Sequence, residues 1–409
     1  MEERSPVMPF ERLLARRTRL MGANAIREIL KVVSRPGMIS LAGGIPSPES
    51  FPMGRIETLT RTVVEKYGAH ALQYDPTEGF PPLRKALSSH LAGKGIRADP
   101  EQVLVTTGSQ GVLDALGKVL IDPGDRVAVE APTYLGALSA FNPYEPEYVC
   151  METDDHGVLP ASLDRVLSRG GVKFVYLVPT FQNPTGRTLP LERRTEIARI
   201  LREHNALLVE DDPYGDLRYR GHAVPTLHSL APGHVVYTGT LSKVFAPGLR
   251  VGFFTAPEPI DRWMVLVKQG VDLHTSTFSQ ALAAEYLAGG HLEAHLPEII
   301  DLYRPRQEAM LEALDRWFPE SFRWSRPEGG MFIWVEGPAG TDTLALYRRA
   351  VARKVAFVPG RFFFTAEGEG WETMRLNFTM TGEAEIRHAV RILSEVIRDA
   401  AAEGAAPSQ

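Results

Sequence analysis

The sequence predicts an α/β protein: a mostly parallel sheet sandwiched by helices, followed by a smaller α+β domain. Two observations carry this. Between about residues 100 and 257, short continuous apolar runs alternate with helical or turn-rich segments, as expected of strands covered on both faces. Beyond about residue 290 the pattern changes to one long helical stretch and then to alternating, glycine-bearing segments that suggest a smaller sheet. A chain of 409 residues is also too long for one simple core.

Residues 103–106 read as a short buried strand that runs through Thr107-Gly-Ser-Gln110 into a helix with apolar Val112, Leu113, Leu116, Val119 and Leu120. Further strands are expected at 126–130, 174–178, 207–210, 235–237 and 251–255, with a helix over 191–204 among their connections. A long helix over 293–317 leads to a strand at 328–335, whose neighbours are 355–358 and 374–378, and a helix from 383 to about 401 closes the chain. The first 35 residues read as two helices that pack on the second domain, and the small, polar tail 401–409 reads as frayed. The expected divisions are 1–55 for the N-terminal helices and segment, 56–295 for the large domain and 296–409 for the small one.

Composition narrows the function classes. With 45 Lys+Arg against 50 Asp+Glu, the net charge of -5 argues against a nucleic-acid coat. The lone Cys150 permits no intramolecular disulfide and no Cys-x-x-Cys site. No apolar stretch approaches the roughly 18 residues that span a bilayer, and the acidic start Met1-Glu-Glu-Arg is no secretory signal. A cytoplasmic enzyme or regulator is expected.

Four polar strand ends carry the chemistry. In Tyr237-Thr-Gly-Thr-Leu-Ser-Lys-Val-Phe-Ala-Pro-Gly-Leu-Arg250, Lys243 follows a strand inside a hydroxyl-rich turn, with Arg250 seven residues later. A lysine that attacks a carbonyl needs such a setting, and the hydroxyls of Thr240 and Ser242 with the Arg250 guanidinium suit a phosphate ester. A surface lysine in a loop would read the same way. Glu210-Asp-Asp-Pro-Tyr214 places carboxylates at a strand's C-terminal end, where α/β sheets bind ligands, although a helix cap would also use them. Asn183-Pro-Thr-Gly186 holds an amide in a rigid turn, which could be only a loop. Thr106-Thr-Gly-Ser-Gln110 opens a helix with free backbone N–H groups, an anion site that is neither a Walker loop nor Gly-x-Gly-x-x-Gly. Together, a phosphate cradle, a carboxylate, an amide and a lysine match the needs of pyridoxal phosphate.

With those motifs the chain resembles the fold-type I pyridoxal-phosphate aminotransferases from about residue 15 to 400. It is most similar to the subgroup of 2-aminoadipate, kynurenine and other broad-range aminotransferases. Further motifs carrying the resemblance are Ser40-Leu-Ala-Gly-Gly-Ile-Pro-Ser-Pro48, Leu72-Gln-Tyr-Asp-Pro-Thr-Glu-Gly79, Gly248-Leu-Arg250 and Met374-Arg-Leu-Asn377. The resemblance implies an aspartate aminotransferase-like large domain and a ping-pong exchange between an L-amino acid and a 2-oxo acid, with glutamate and 2-oxoglutarate as one pair.

The resemblance also assigns residues. Lys243 would hold the cofactor and then carry a proton from the substrate's Cα. Asp211, rather than Asp212, would pair with the pyridine nitrogen. Asn183 and Tyr214 would hydrogen-bond the phenolic oxygen, and Tyr134 would stack on the ring. Ser109, Gln110, Thr240, Ser242 and Arg250 would take the phosphate, Thr240 standing where many relatives have serine. Tyr74 would reach the phosphate of the partner's site, which implies a homodimer. Arg375 would bind the α-carboxylate with its planar fork, and Gly43 and Gly44 would let the N-terminal segment approach the substrate. Arg27, in Asn24-Ala-Ile-Arg-Glu28, would read a distal carboxylate and so admit 2-aminoadipate and glutamate. Aromatic or branched substrates are the alternative if the helix carrying it moves.

His291-Leu-Glu-Ala-His295 spaces two histidines one turn apart, but no third ligand is evident, so a solvated helix face and no metal are expected. Phe362-Phe-Phe364 and Trp334 read as core or lining, with no nucleic-acid platform and no membrane contact. Two rivals remain on the same fold. One is an effector-sensing transcription regulator, disfavoured because only some 35 residues precede Ser40. The other is a pyridoxal-phosphate lyase or decarboxylase.

Overall fold

The computed structural model describes residues 10–21 and 36–404. Seven strands build the larger sheet: β1 Leu104–Thr107, β2 Arg126–Glu130, β3 Glu147–Met151, β4 Val172–Leu177, β5 Leu208–Asp212, β6 Val235–Thr240 and β7 Val251–Thr255. Their order is β1-β7-β6-β5-β4-β2-β3. Only β7 is antiparallel to its neighbours. β5 and β6 are buried along their whole length; each opens on an apolar run, as strands covered on both faces do, and turns polar only toward its C-terminal end. The edge strand β3 was not anticipated. Its Glu-Tyr-Val-Cys-Met sequence is half exposed and gives no continuous apolar signal.

The smaller sheet has four antiparallel strands: β8 Arg323–Trp324, β9 Phe332–Glu336, β10 Val358–Pro359 and β11 Thr373–Asn377, in the order β8-β9-β11-β10. The expected strand over 355–358 divides, because Phe357 interrupts it. Val358–Pro359 joins this sheet, while Val355–Ala356 pairs in parallel with Ile39–Ser40. That pairing, continued by Leu41 N donating to Ala356 O and Asn377 N donating to Leu41 O, both 2.8 Å, fixes the segment that enters the site. Helix His291–Trp317 carries the chain from one sheet to the other and packs along helix Glu383–Gly404. The division expected at 295/296 therefore falls inside a continuous helix.

The histidine pair is corrected. His295 is buried, with its Nδ1 2.7 Å from the Tyr286 hydroxyl, and His291 stacks on the Tyr286 ring. Helical spacing alone could not show that this face turns inward. No group of three metal-ligating side chains occurs among the described residues, and no helix among them is long and apolar enough to cross a membrane.

Trp334 is 1% exposed and meets Phe363 edge-on, with 5.9 Å between ring centroids, in a cluster with Ala42, Ala356 and Val358. Trp334→Ala empties the largest side chain from this junction and is expected to cost about 3–5 kcal/mol. A urea titration would show the midpoint falling with little change in slope.

Candidate active site

Strands β1, β2, β4, β5 and β6 all aim their C-terminal ends at one rim of the larger sheet, the place where open α/β sheets bind ligands. Each hands the chain to a turn bearing polar side chains. Ser109 and Gln110 follow β1, Tyr134 follows β2, Asn183 follows β4, Asp211 and Tyr214 come from the end of β5, and Thr240, Ser242 and Lys243 from the end of β6. With Gly44, Arg250 and Arg375 they line a cavity of about 440 Å³. A larger groove, about 780 Å³, lies between Arg187 and Trp324. Most of its charges pair with acids, Arg187 with Asp155 and Glu336 and Arg326 with Asp315, so the uncommitted groups are in the smaller cavity.

Lys243 Nζ donates to Gly44 O at 2.9 Å. Burial and the nearby Arg375 and Arg250 charges pull its pKa down to about 8. Asp211 is 2% exposed, and burial pushes its pKa up to about 7, with the Asp212 charge adding to the rise and the Tyr176 hydrogen bond opposing it. The Tyr176 hydroxyl donates to Asp211 Oδ2 at 2.7 Å, whereas Oδ1 is buried without a hydrogen-bond partner among the described residues. Asp212 faces the other side of β5, as strand alternation requires. There it pairs with Lys94 and accepts from the Tyr237 hydroxyl. Alternation thus puts Asp211, and not Asp212, on the face that lines the cavity.

Arg375, on β11, is equally buried. It donates from Nη1 to Asn183 Oδ1 and from Nη2 to Ala42 O, each 2.8 Å, and its guanidinium lies 4.2 Å from the Phe332 ring centroid. Burial lowers its pKa to about 10, and no acid pairs with it among the described residues. Asn183 Nδ2 in turn donates to the Tyr214 hydroxyl at 3.2 Å. Burial also raises the Tyr134 hydroxyl to about 12, so both phenols stay protonated near neutral pH.

The remaining polar groups form a cradle. Thr240 Oγ1 lies 2.9 Å from Ser242 Oγ and accepts from Ser242 N. Arg250 adopts left-handed backbone angles, φ 54° and ψ 50°, a conformation that costs a non-glycine residue roughly 1–2 kcal/mol. Among the described residues its guanidinium makes only long contacts, 3.4 and 3.5 Å, to the Pro247 and Thr107 carbonyls. It packs on Gly108, at φ 76°, where an added Cβ would stand 2.2 Å from Arg250 Nη2. Gly108 also caps helix Ser109–Leu120, whose first N–H groups open toward the same cavity.

Not every expected residue is here. Tyr74 is 75% exposed and sits edge-on to His274 in a separate depression. Gly43 is buried beside the cavity without lining it. A Cβ at Gly44 would meet Phe332 at an ordinary 3.4 Å, so the carbonyl of Gly44, not its missing side chain, is what touches Lys243. Arg27 lies outside the described residues. Nothing in the motifs pointed to Tyr176, Ala42 or Phe332. Tyr176 is one more apolar position in β4, and the other two act through a carbonyl and a ring face.

A partly neutral lysine amine and a lone buried carboxylate around one cavity are the working pair of enzymes that handle amines through pyridoxal phosphate. Comparison with known proteins narrows this. Residues 56–393 match the family model for aminotransferase class I and II. The aromatic-amino-acid aminotransferase 1 of Thermococcus litoralis is 44% identical over 97% of this chain and 96% of its own. The 2-aminoadipate transaminase of Thermus thermophilus is 42% identical over 92% and 94%. The crystal structure of Pyrococcus horikoshii kynurenine aminotransferase, in complex with PMP, KYN and KYA, superposes with a TM-score of 0.93 at 44% identity, covering 97% of this chain and 99% of that one. The chain belongs to the class I and II aminotransferases. It is a transaminase whose cofactor is pyridoxal 5′-phosphate.

Proposed function

We propose that the enzyme moves the amino group of an L-amino acid to a 2-oxo acid such as 2-oxoglutarate by ping-pong chemistry at the cavity around Lys243. The observation that carries this reading is the buried Asp211 Oδ1, without a hydrogen-bond partner among the described residues, in the wall of the same cavity as Lys243 and as Arg375, with which no acid among those residues pairs. These groups fit the cofactor and an amino acid together. Bound pyridoxal phosphate supplies a carbonyl that takes up amines and a protonated ring that accepts electrons as the substrate's Cα–H bond breaks.

The chain's own groups do the rest. Asp211 would hold the proton on the ring nitrogen. Asn183 Nδ2 and the Tyr214 hydroxyl would donate to the phenolic oxygen, and Tyr134 would cover the ring face. The N–H groups and side chains of Ser109 and Gln110, the hydroxyls of Thr240 and Ser242, and Arg250 would hold the phosphate. Lys243 Nζ takes the proton from Cα and returns it, for which an amine with a pKa of about 8 is suited. Arg375 receives the α-carboxylate. Tyr74, exposed here, would complete the phosphate site of a second subunit, so a cytoplasmic homodimer belongs to the same proposal.

Substrate range follows from how the cations are used. Lys243, Arg250 and Arg375 are the cations among the described lining residues, and each has a task, so none remains for a distal carboxylate. Ile45, Leu135 and Pro247 give the wall apolar patches, which supports aromatic or branched amino acids. Acidic ones, 2-aminoadipate and glutamate, would depend on Arg27. The test is the visible absorbance of the purified protein as single amino acids are added. A yellow band that bleaches with an amino acid and returns with 2-oxoglutarate is the expected result. Bleaching by 2-aminoadipate that is lost in Arg27→Ala would support the acidic reading, and bleaching by aromatic or branched amino acids alone would discard it. A band that no 2-oxo acid restores would point to lyase chemistry.

Arg375→Met removes the carboxylate fork. Two charge-assisted hydrogen bonds are worth about 1.5–3 kcal/mol each, so kcat/KM for amino acids is expected to fall roughly 10²- to 10⁴-fold. Cofactor binding should change far less, since among the described residues Arg375 bears on it only through Asn183, and Arg375→Lys should recover only part of the loss.

A further inference from the structure

One buried charge cluster lies behind the site and has no part in the chemistry above. Lys94 ends helix Pro81–Gly93 and reaches beneath β5, where its Nζ stands 3.2 Å from Asp212 Oδ2 and 3.0 Å from Asp216 Oδ1. The side chains of Lys94, Asp212 and Asp216 are 16%, 5% and 25% exposed. The Tyr237 hydroxyl donates to the same Asp212 oxygen at 2.8 Å, and His90 Nε2 lies 3.7 Å from Asp216 Oδ2. Although burial opposes it, the two carboxylates raise the Lys94 pKa, so the lysine is a full cation.

The two aspartates that Lys94 joins bracket Pro213, Tyr214 and Gly215. Asp211 immediately precedes the bracket, and Asp211, Pro213 and Tyr214 all line the cavity. The turn is tight. A Cβ at Gly215 would stand 2.4 Å from Asp212 Oδ1, so no larger residue fits between the carboxylate and the returning chain. Alternation along β5 then converts the position of Asp212 into the orientation of its neighbour.

We propose that Lys94 is a positioning residue: by tying Asp212 to Asp216 from behind the sheet, it fixes the turn that presents Asp211 and Tyr214 to the cofactor. It also places a positive charge against Asp212, so that Asp211 does not stand beside an unbalanced negative charge. This rests on the assignment of Asp211 and Tyr214 made above. A clamp of this kind touches neither substrate nor cofactor, and its loss would loosen the two groups by fractions of an ångström. Misplacement by about 1 Å can cost some 10²-fold in rate.

The test compares Lys94→Met, Asp216→Asn, the double variant and Lys94→Arg. For each, pyridoxal phosphate is titrated into the cofactor-free protein by absorbance, and kcat, KM and melting temperature are measured. Both single variants should weaken cofactor binding and lower kcat by about 10-fold or more while KM for the amino acid changes far less. The double variant should be no worse than the more damaging single one, because both act through one clamp. Lys94→Arg, which keeps the cation, should recover part of the loss. If Lys94→Met does not fold, Asp216→Asn decides alone, since it retains the Lys94–Asp212 pair and a side chain of the same size at position 216. A lower melting temperature with unchanged cofactor affinity and kcat would overturn the proposal, and so would independent, multiplying effects. Asp211→Asn is the control. Were it also without effect on cofactor binding and kcat, the site assignment rather than the clamp would be at fault.

Discussion

Lys243→Ala is expected to lose transamination by at least about 10³-fold while the protein still binds pyridoxal phosphate. A positioned proton carrier contributes typically 10²–10⁴-fold. Lys243 is the only amine among the described residues lining the cavity, so none of them can take over its proton. Binding should survive because the phosphate cradle, Asp211 and the cover from Tyr134 do not involve the lysine. The readout is single-turnover formation of the 2-oxo acid, with an absorbance titration to show that the cofactor is present. Turnover near the wild-type rate would overturn the assignment.

A pH dependence accompanies this. The cofactor-free lysine must be neutral to attack a carbonyl, and its pKa is lowered to about 8 by burial and by the Arg375 and Arg250 charges. Below that value the neutral fraction grows about tenfold for each pH step, and above it the fraction saturates. The rate of cofactor uptake should therefore rise from pH 6 to about 8 and then level off. An ordinary lysine would keep rising to about 10.4, and a profile of that form would show that the cavity does not tune Lys243. Arg375→Met should shift the plateau to higher pH, because it removes one of the two charges that disfavour the ammonium.

The site was more legible in the sequence than the scaffold that orients it. Lys243, Asn183 and Asp211 each follow an apolar strand, and a strand end in a parallel sheet is a fixed place, so motif and position reinforce one another. The preference for Asp211 came from the family motif, and the alternation of β5 supplies its physical reason. What sequence could not show are contacts made by common atoms or by faces. Ala42 contributes only its carbonyl to Arg375, and Tyr176 only a hydroxyl from an otherwise apolar strand. The inward turn of His295 depends on Tyr286, a partner on another helix. The pairing of Ile39–Ser40 with Val355–Ala356 joins segments some 300 residues apart through main-chain bonds, which any residue types could make. Tyr74 is the reverse case: its motif was legible, but in the proposed homodimer its partner group would belong to a second subunit.

The second large effect is expected at Asp211. Asp211→Asn preserves shape and can still face Tyr176, but it removes the charge that, on the proposed assignment, would keep the ring nitrogen protonated. Loss of one preorganised electrostatic group typically costs about 10²–10³ in kcat, and here it weakens the electron sink itself, so kcat should fall by at least that much with a smaller change in KM. A cofactor analogue methylated at the ring nitrogen carries its positive charge without a proton, so it should restore part of the rate to Asp211→Asn and none to Lys243→Ala. The same carboxylate is a liability without cofactor. Its pKa is raised from 3.8 to about 7, chiefly by burial, so between those values the folded protein binds the extra proton and stability falls as pH rises through the window. The penalty is complete above about pH 7 and absent below about 4. Cofactor-free Asp211→Asn should therefore be more stable than cofactor-free wild type at pH 8, by up to about 4 kcal/mol, and melt higher, with the gap closing toward pH 4. Saturating pyridoxal phosphate should reverse that ranking at pH 8, because a cationic ring nitrogen beside Asp211 Oδ1 turns the buried charge from a cost into a contact. A variant that melts no higher than wild type without cofactor would mean that Asp211 is already satisfied in the empty site, and the case for it as the ring's partner would lose its physical basis.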